Sequence, residues 1–276
     1  MISRQTARGM EITAEDFHLE QTLDCGQCFR WDRQEDGSYC GEAFGKRLLL
    51  TQDENTVVFH GVSPEDFQQI WSPYFDLDTA YGGIKEQLSA LHPVLREACA
   101  FAPGIRILRQ DPWEALCSFI ISQNNNIPRI KGIISRLCSG FGTDGRFPSP
   151  ELLAPLETED LAPLRSGFRA KYILSAARMI SSGEVDFSAV SSLPLDEARE
   201  MLMKIKGVGK KVADCVLLYG FHRLDAFPMD VWMRRAMDVL FPGVMPEDFG
   251  EYAGVAQQYI FHYSRCHPAL FKEKAG

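Results

Sequence analysis

Leu202–Cys215, LMKIKGVGKKVADC, carries the turn on which the rest of the chain is read. Leu195–Ile205 has the apolar spacing of a helix, and Lys206-Gly207-Val208-Gly209 is too rich in glycine to continue it. Lys210 opens a second helix running to Gly220. Two glycines let the backbone turn sharply and leave bare amides at a helix N-terminus, where unpaired N–H groups and the macrodipole favour a phosphate. Lys204, Lys206, Lys210 and Lys211 crowd this turn, and Asp214 is the lone acid between residues 201 and 223. The pattern is that of a helix-hairpin-helix gripping one nucleic-acid strand by its backbone, through Gly207, Val208, Gly209 and Lys210. Taken alone, any tight helix–helix turn with solvated lysines accounts for it equally well.

Further along the second helix, Val208, Val212, Cys215 and Tyr219 mark a buried stripe, with Lys211 and Cys215 four residues apart on its border. A lysine there can face a pocket, where its amine serves as a nucleophile, or it can snorkel over apolar surface. Phe227-Pro228-Met229-Asp230-Val231 then places an acid after a proline-fixed turn at the mouth of another helix. Asp230 reads either as an N-cap worth about 1 kcal/mol or as a carboxylate assisting Lys211.

Outward from this centre, residues 104–276 are helical in period: Trp113–Gln123 behind the cap Asp111-Pro112, Ile127–Phe141, Arg169–Ser182, Val231–Phe241 and Gly250–Arg265. Residues 28–62 read instead as an antiparallel meander, with strands expected at Cys28–Arg33, Ser38–Ala43, Arg47–Thr51 and Thr56–His60. Helical patterns follow at Pro64–Trp71, Thr79–Leu91 and Pro93–Phe101. The expected fold is α+β, with an N-terminal unit at 1–103 and a helical body at 104–276. The body divides into subdomains at roughly 113–205 and 206–276, the helix-hairpin-helix occupying 195–220.

The boundary coincides with a shift in charge. The chain has 276 residues and a net charge of −8, which argues against a nucleic-acid coat protein or a binder of anionic membranes. Yet residues 1–103 hold 8 basic and 17 acidic side chains, −9, while the remainder holds 21 and 20, +1. The body is free to carry one basic face. No stretch nears the roughly 18 apolar residues of a membrane span, and the start lacks a secretory core, so a cytoplasmic, nucleoid-associated monomer is expected. The eight cysteines are scattered and read as thiols; Cys25-Gly-Gln-Cys28 lacks the second pair a zinc ribbon needs.

Gly207–Cys215 followed by Phe227–Asp230 resembles the signature of the helix-hairpin-helix–Gly/Pro-Asp superfamily of DNA glycosylases. Ile107–Pro112 (ILRQDP), Phe119–Arg129 (FIISQNNNIPR), Cys25–Trp31 (CGQCFRW), Gly167–Tyr172 and Tyr252–Phe261 (YAGVAQQYIF) are similar to its 8-oxoguanine DNA glycosylase branch. The resemblance spans most of residues 20–265. It implies a sheet domain of the TATA-binding-protein type before the helical body. It also implies a bifunctional glycosylase and lyase that excises 8-oxoguanine, preferentially opposite cytosine, from duplex DNA in base excision repair.

By the same resemblance, Lys211 is the nucleophile and forms a Schiff base with the sugar, and Asp230 stabilises the cationic sugar. Gly26 offers a backbone carbonyl to the N7–H that oxidation adds to guanine. Gln257 reads the Watson–Crick edge, Cys215 and Phe261 sandwich the flipped base, Asn124, Arg129 and Arg169 read the orphaned cytosine, and Phe168 is the wedge. No cofactor is implied, though a monovalent cation on the hairpin carbonyls is. With Cys266 the single cysteine after 215, no iron–sulfur cluster and no catalytic metal are expected. Trp232 stands where eukaryotic members carry a His, Lys206 replaces the usual Pro of the hairpin, and Phe168 stands where Tyr is common. Two alternatives stay open: a superfamily glycosylase for alkylated or other damaged bases, and a catalytically silent module that uses the hairpin as a phosphate grip.

Overall fold

The computed structural model describes residues 2–271; the last five residues of the expected second unit, 272–276, lie outside them. Six antiparallel strands form one sheet in the order β1-β2-β6-β5-β4-β3. They are β1 (Ile2–Thr6), β2 (Gly9–Thr13), β3 (Trp31–Arg33), β4 (Tyr39–Ala43), β5 (Lys46–Asp53) and β6 (Thr56–His60). Alternation sends Met10, Ile12, Leu48, Leu50, Val57 and Phe59 into one core, where Trp31, Trp71, Tyr74 and Phe75 close around them. The Trp31 indole donates to Tyr74 Oη at 2.8 Å, so the aromatic cluster has no orphaned polar group at its centre.

Two differences from the sequence reading matter. β1 and β2 lie outside the expected meander. β1, ISRQT, is an exposed edge strand with no apolar face to betray it, whereas β2, GMEIT, is buried; Arg4 and Arg8 tie the pair by converging on Glu11 at 2.8 and 2.7 Å. The strand expected from Cys28 begins only at Trp31. Residues 24–30 form an irregular turn with Gly26 at φ +89°.

The helical body follows the periodicity closely. Its helices include Tyr81–Leu91, Pro93–Phe101, Pro112–Ser122, Ile127–Phe141, Ala170–Ser181, Leu195–Met203, Lys210–Tyr219, Val231–Leu240 and Ala253–Cys266. The charge shift and Pro103-Gly104 divide the sequence at 103, whereas the cores divide it earlier. Tyr81, Leu88, Leu95 and Cys99 belong to the core of the body, and the sheet's core takes nothing between Leu77 and Leu108. A charge count reports the outside of a helix, and which core it joins depends on its inner face.

The two units are tied through buried charge. Asp76, 2% exposed, lies 2.7 Å from Arg109 and 3.2 Å from His222 Nε2, and accepts from Thr79 and Tyr81 hydroxyls. Burial pushes the Asp76 carboxyl up, but His222 and Arg109 outweigh it and hold it below the usual carboxylate range. A depressed carboxylate contributes stability above its unfolded pKa, about 3.9, and that contribution disappears as pH falls through the folded value. Asp76→Asn keeps the shape and tolerates the left-handed backbone (φ +52°), so it isolates the charge. The expected loss is about 3–5 kcal/mol at neutral pH. Denaturant unfolding across pH checks this: the gap between wild type and variant closes on the acid side.

Candidate active site

Helix Lys210–Tyr219 starts at its cap Gly209, whose backbone is extended (φ −98°, ψ 179°) and whose Cα has open space around it. Gly207 is the position that demands glycine. Its φ is +87°, and a Cβ there would lie 2.3 Å from the Tyr172 ring. The ring of Tyr172 in turn meets exposed Phe168 edge-on at 5.8 Å, so the turn and the wedge candidate share one support. Lys204, Lys206 and Lys210 are exposed, whereas Lys211 is half-buried. The structure thereby separates one lysine from the cluster.

Lys211 points inward, its Nζ 5.3 Å from the centre of the Phe119 ring. It lines a small pocket open to solvent, together with Cys215, Asp230, Gly26, Gln257 and Phe261. Six residues that span more than 230 positions of sequence, and that the sequence reading assigned to chemistry and base recognition, therefore meet at one place. Asp230 is the N-cap of Val231–Leu240, its Oδ1 accepting from Met233 N–H at 2.6 Å. Capping and lining the pocket are compatible roles: the cap fixes the carboxylate. Burial pushes the Cys215 thiol up to about 11 against the opposing charge of Lys211, so it presents a neutral, polarisable face. Gln257 is 5% exposed and its Oε1 has no partner. An unpaired buried amide oxygen costs about 1–3 kcal/mol, and it marks a place where a ligand donor belongs.

Gly26 reaches the pocket from the N-terminal unit; a Cβ there would lie 3.7 Å from the Phe261 ring. Its neighbours Cys25 and Cys28 are buried, and burial lifts the Cys25 thiol to about 12 and Cys28 well above its ordinary value. They are structural thiols, Cys25 Sγ donating to Thr22 O at 3.1 Å.

Of the opposite-base candidates, Asn124 lies on the segment joining Pro112–Ser122 to Ile127–Phe141, Arg129 in the first turn of the latter helix, and Arg169 on the turn Gly167–Arg169. The three asparagines divide the work. Asn126 caps the second helix through Arg129 N–H at 3.0 Å, and Asn125 Nδ2 donates back to Ile121 O at 3.0 Å. Asn124, at φ +47°, leaves its side chain exposed. Arg129 is exposed, and one arm of its guanidinium lies 3.5 Å from Arg165 O. Arg169 is placed differently. It is 2% exposed, and its guanidinium donates to the carbonyls of Gln123, Asn124 and Ser166. Arg169 thereby fixes the path of residues 123–124 and stacks under Phe168 at 4.5 Å.

Sequence reasoning missed Phe119 and Gln123. Phe119 forms the pocket floor beneath Lys211, yet its period makes it one more core residue of its helix. Gln123 Nε2 donates to Gly207 O at 3.1 Å and links the reading loop to the hairpin, which no spacing reveals. Trp232 is turned away from hydrogen bonding at Asp230. Its indole donates to Ser264 Oγ at 2.9 Å and pins two helices together.

A hairpin over a basic turn, with a lysine and an acid converging on one pocket, defines a base-excision repair protein of the helix-hairpin-helix–Gly/Pro-Asp class. Residues 117–243 match the HhH-GPD superfamily of base excision DNA repair proteins, and residues 10–116 match the N-terminal domain of 8-oxoguanine DNA glycosylase. The chain is 31% identical to a probable N-glycosylase/DNA lyase of Methanothermobacter thermautotrophicus, over 97% of this chain and 99% of that one. It is 33% identical to the N-glycosylase/DNA lyase of Saccharomyces cerevisiae over 82% and 69% of the two chains. The 8-oxoguanine glycosylase/lyase of Clostridium acetobutylicum, solved with double-stranded DNA containing cytosine opposite 8-oxoguanine, superimposes with a TM-score of 0.89. Its identity is 38%, over 97% of this chain and 99% of that one. This chain belongs to the 8-oxoguanine DNA glycosylase/lyase family.

Gly207→Ala tests the hairpin. A side chain at positive φ costs about 1–3 kcal/mol, and the overlap with Tyr172 adds to it. Both the melting temperature and the affinity for undamaged duplex are expected to fall, read by thermal unfolding and by fluorescence anisotropy.

Proposed function

We propose that this protein excises 8-oxoguanine from duplex DNA and cleaves the strand at the resulting site. The observation that carries the reading is the convergence of Lys211, Asp230, Gly26 and the unpartnered Gln257 amide on one pocket. A flipped purine slides between the Cys215 thiol and the Phe261 ring. The Gly26 carbonyl accepts from N7–H, present in 8-oxoguanine and replaced in guanine by a lone pair that repels it. Gln257 Oε1 accepts from the donors on the base's Watson–Crick edge, which satisfies the buried orphan.

Chemistry follows from the same placement. As the C1′–N9 bond breaks, electron density leaves with the base and positive charge grows on the sugar, beside the fixed Asp230 carboxylate. The lone pair of the Lys211 amine forms the new N–C1′ bond while an amine proton passes to the departing base; O4′ takes up a proton as the ring opens to a Schiff base, and loss of a C2′ proton to water expels the 3′ phosphate by β-elimination. The amine supplies the nucleophile, so the reaction calls for no cofactor, iron–sulfur cluster or catalytic metal. A monovalent cation fits the hairpin carbonyls. Ile205 O and Gly207 O each accept one hydrogen bond, at 3.0 and 3.1 Å, which leaves each a lone pair. The partner is double-stranded DNA carrying oxidised guanine. The protein acts as a monomer on the nucleoid in the cytoplasm; among the described residues no helix is long and apolar enough to cross a membrane.

Borohydride trapping tests the reading. A covalent adduct with duplex containing 8-oxoguanine opposite cytosine is expected, and it vanishes in Lys211→Gln. No adduct with any lesion sinks the assignment, while an adduct confined to alkylated bases transfers it to that substrate class. Asp230→Asn still caps its helix, so the fold persists while single-turnover excision falls by about 10²–10³-fold. Arg129→Ala is expected to narrow the preference for cytosine opposite the lesion by about 1–3 kcal/mol, measured as the ratio of excision rates across the four opposite bases.

A further inference from the structure

Gly26 has no side chain with which to hold its own carbonyl in place, so its position depends on the two peptides beside it. On one side Gln27, fully buried, fixes the chain. Its Nε2 donates to Thr22 O and Arg106 O, both at 2.8 Å, and its Oε1 accepts from Leu108 N–H at 2.9 Å. On the other side the Cys25 carbonyl accepts from Gln258 Nε2 at 3.1 Å, a contact between residues 233 positions apart. Gln258 is 1% exposed, and its Oε1 in turn accepts from Tyr219 Oη at 2.6 Å. Burial pushes the Tyr219 phenol well up, so the hydroxyl stays a donor and dictates which end of the Gln258 amide faces Cys25. The Tyr219 ring stacks on Phe119 (5.3 Å, 19°), the ring that carries Lys211 on its edge of the pocket.

From this chain of contacts we infer that Tyr219 and Gln258 are positioning residues that hold the Gly26 carbonyl at the height required to distinguish 8-oxoguanine from guanine. Both line the inner wall of the pocket, but their hydrogen-bonding ends are spent on each other and on the Cys25 carbonyl. Gln258 lies next to Gln257 on Ala253–Cys266, and Tyr219 lies two turns beyond Lys211 on Lys210–Tyr219, so both helices that build the pocket are tied to the discriminating turn. A carbonyl discriminates between a donor and a lone pair only if it cannot withdraw. A turn free to shift by a few tenths of an ångström would relax away from guanine and lose the repulsion. The anchor on Gln27 belongs to the packing of the two units; the anchor on Cys25 is the one that reports to the pocket.

This inference rests on the proposed substrate, and its test keeps the two apart. In the inert Lys211→Gln background, affinities are compared for duplexes bearing 8-oxoguanine or guanine opposite cytosine. Wild-type pocket residues are expected to favour 8-oxoguanine; equal affinities there overturn the substrate reading itself. Gln258→Met preserves volume and removes the donor, and the affinity ratio is expected to fall roughly tenfold, the scale of one buried hydrogen bond. Tyr219→Phe removes one oxygen, is expected to lower the ratio by a smaller factor, and is read by itself should Gln258→Met fail to fold. The double variant is expected to be no worse than Gln258→Met, because the two residues act in series. With Lys211 restored, both single variants are expected to cleave a pre-formed abasic site, where no base is read. An unchanged affinity ratio in a folded Tyr219→Phe protein, or an equal loss of abasic-site cleavage and base selectivity, overturns the inference.

Discussion

The site exists because one irregular turn from the N-terminal unit is clamped against the helical body. Gln27 provides the clamp: a fully buried amide whose donors and acceptor are all satisfied by backbone of Thr22, Arg106 and Leu108, while Gln110 Nε2 takes its own carbonyl at 2.7 Å. Leaving any of these groups unpaired in the interior would cost about 1–3 kcal/mol each, so Gln27 holds the turn between the two units. Gly26 follows from that placement, and with it the wall of the pocket that the helical body cannot build for itself.

The body supplies the reacting groups by a different device. A helix that begins at a glycine hairpin puts its first residues at the surface and its next turn in the core. Lys210 is exposed, Lys211 half-buried and Cys215 buried along a single helical face and its border. The exposed lysines and bare amides suit a phosphate backbone, while the half-buried one is delivered over Phe119 to the pocket. The proposed strand grip and the proposed nucleophile are thus adjacent residues of one element.

Much of this was legible in the residues. The hairpin, the proline-fixed Asp230 and the helices around them have spacings that speak for themselves, and the motifs shared with a known family assigned roles to Gly26, Gln257 and Phe261. Ile127–Phe141 was read to its ends, since Asn126 and Pro128 are strong local signals. Edge strand β1 was not, since its polarity carries no period, and neither was the irregular path of residues 24–30. Arg169 shows the limit most clearly. Its motif marks it as a base reader, whereas three backbone carbonyls in reach give its fork a structural task that no spacing announces.

Sequence alone determined which residues are chemically able: a lysine at a helix start, a carboxylate at a cap, a glycine at positive φ, a body free of the acidity of its first third. These properties are local, set by side-chain type and by contacts within one turn of chain. Tertiary structure decided which of four clustered lysines turns inward, which of three asparagines stays free, and how Tyr219, Gln258 and Cys25 form one line behind Gly26. Those outcomes rest on burial and on hydrogen bonds between residues as much as 233 positions apart, and no local pattern encodes a partner so distant.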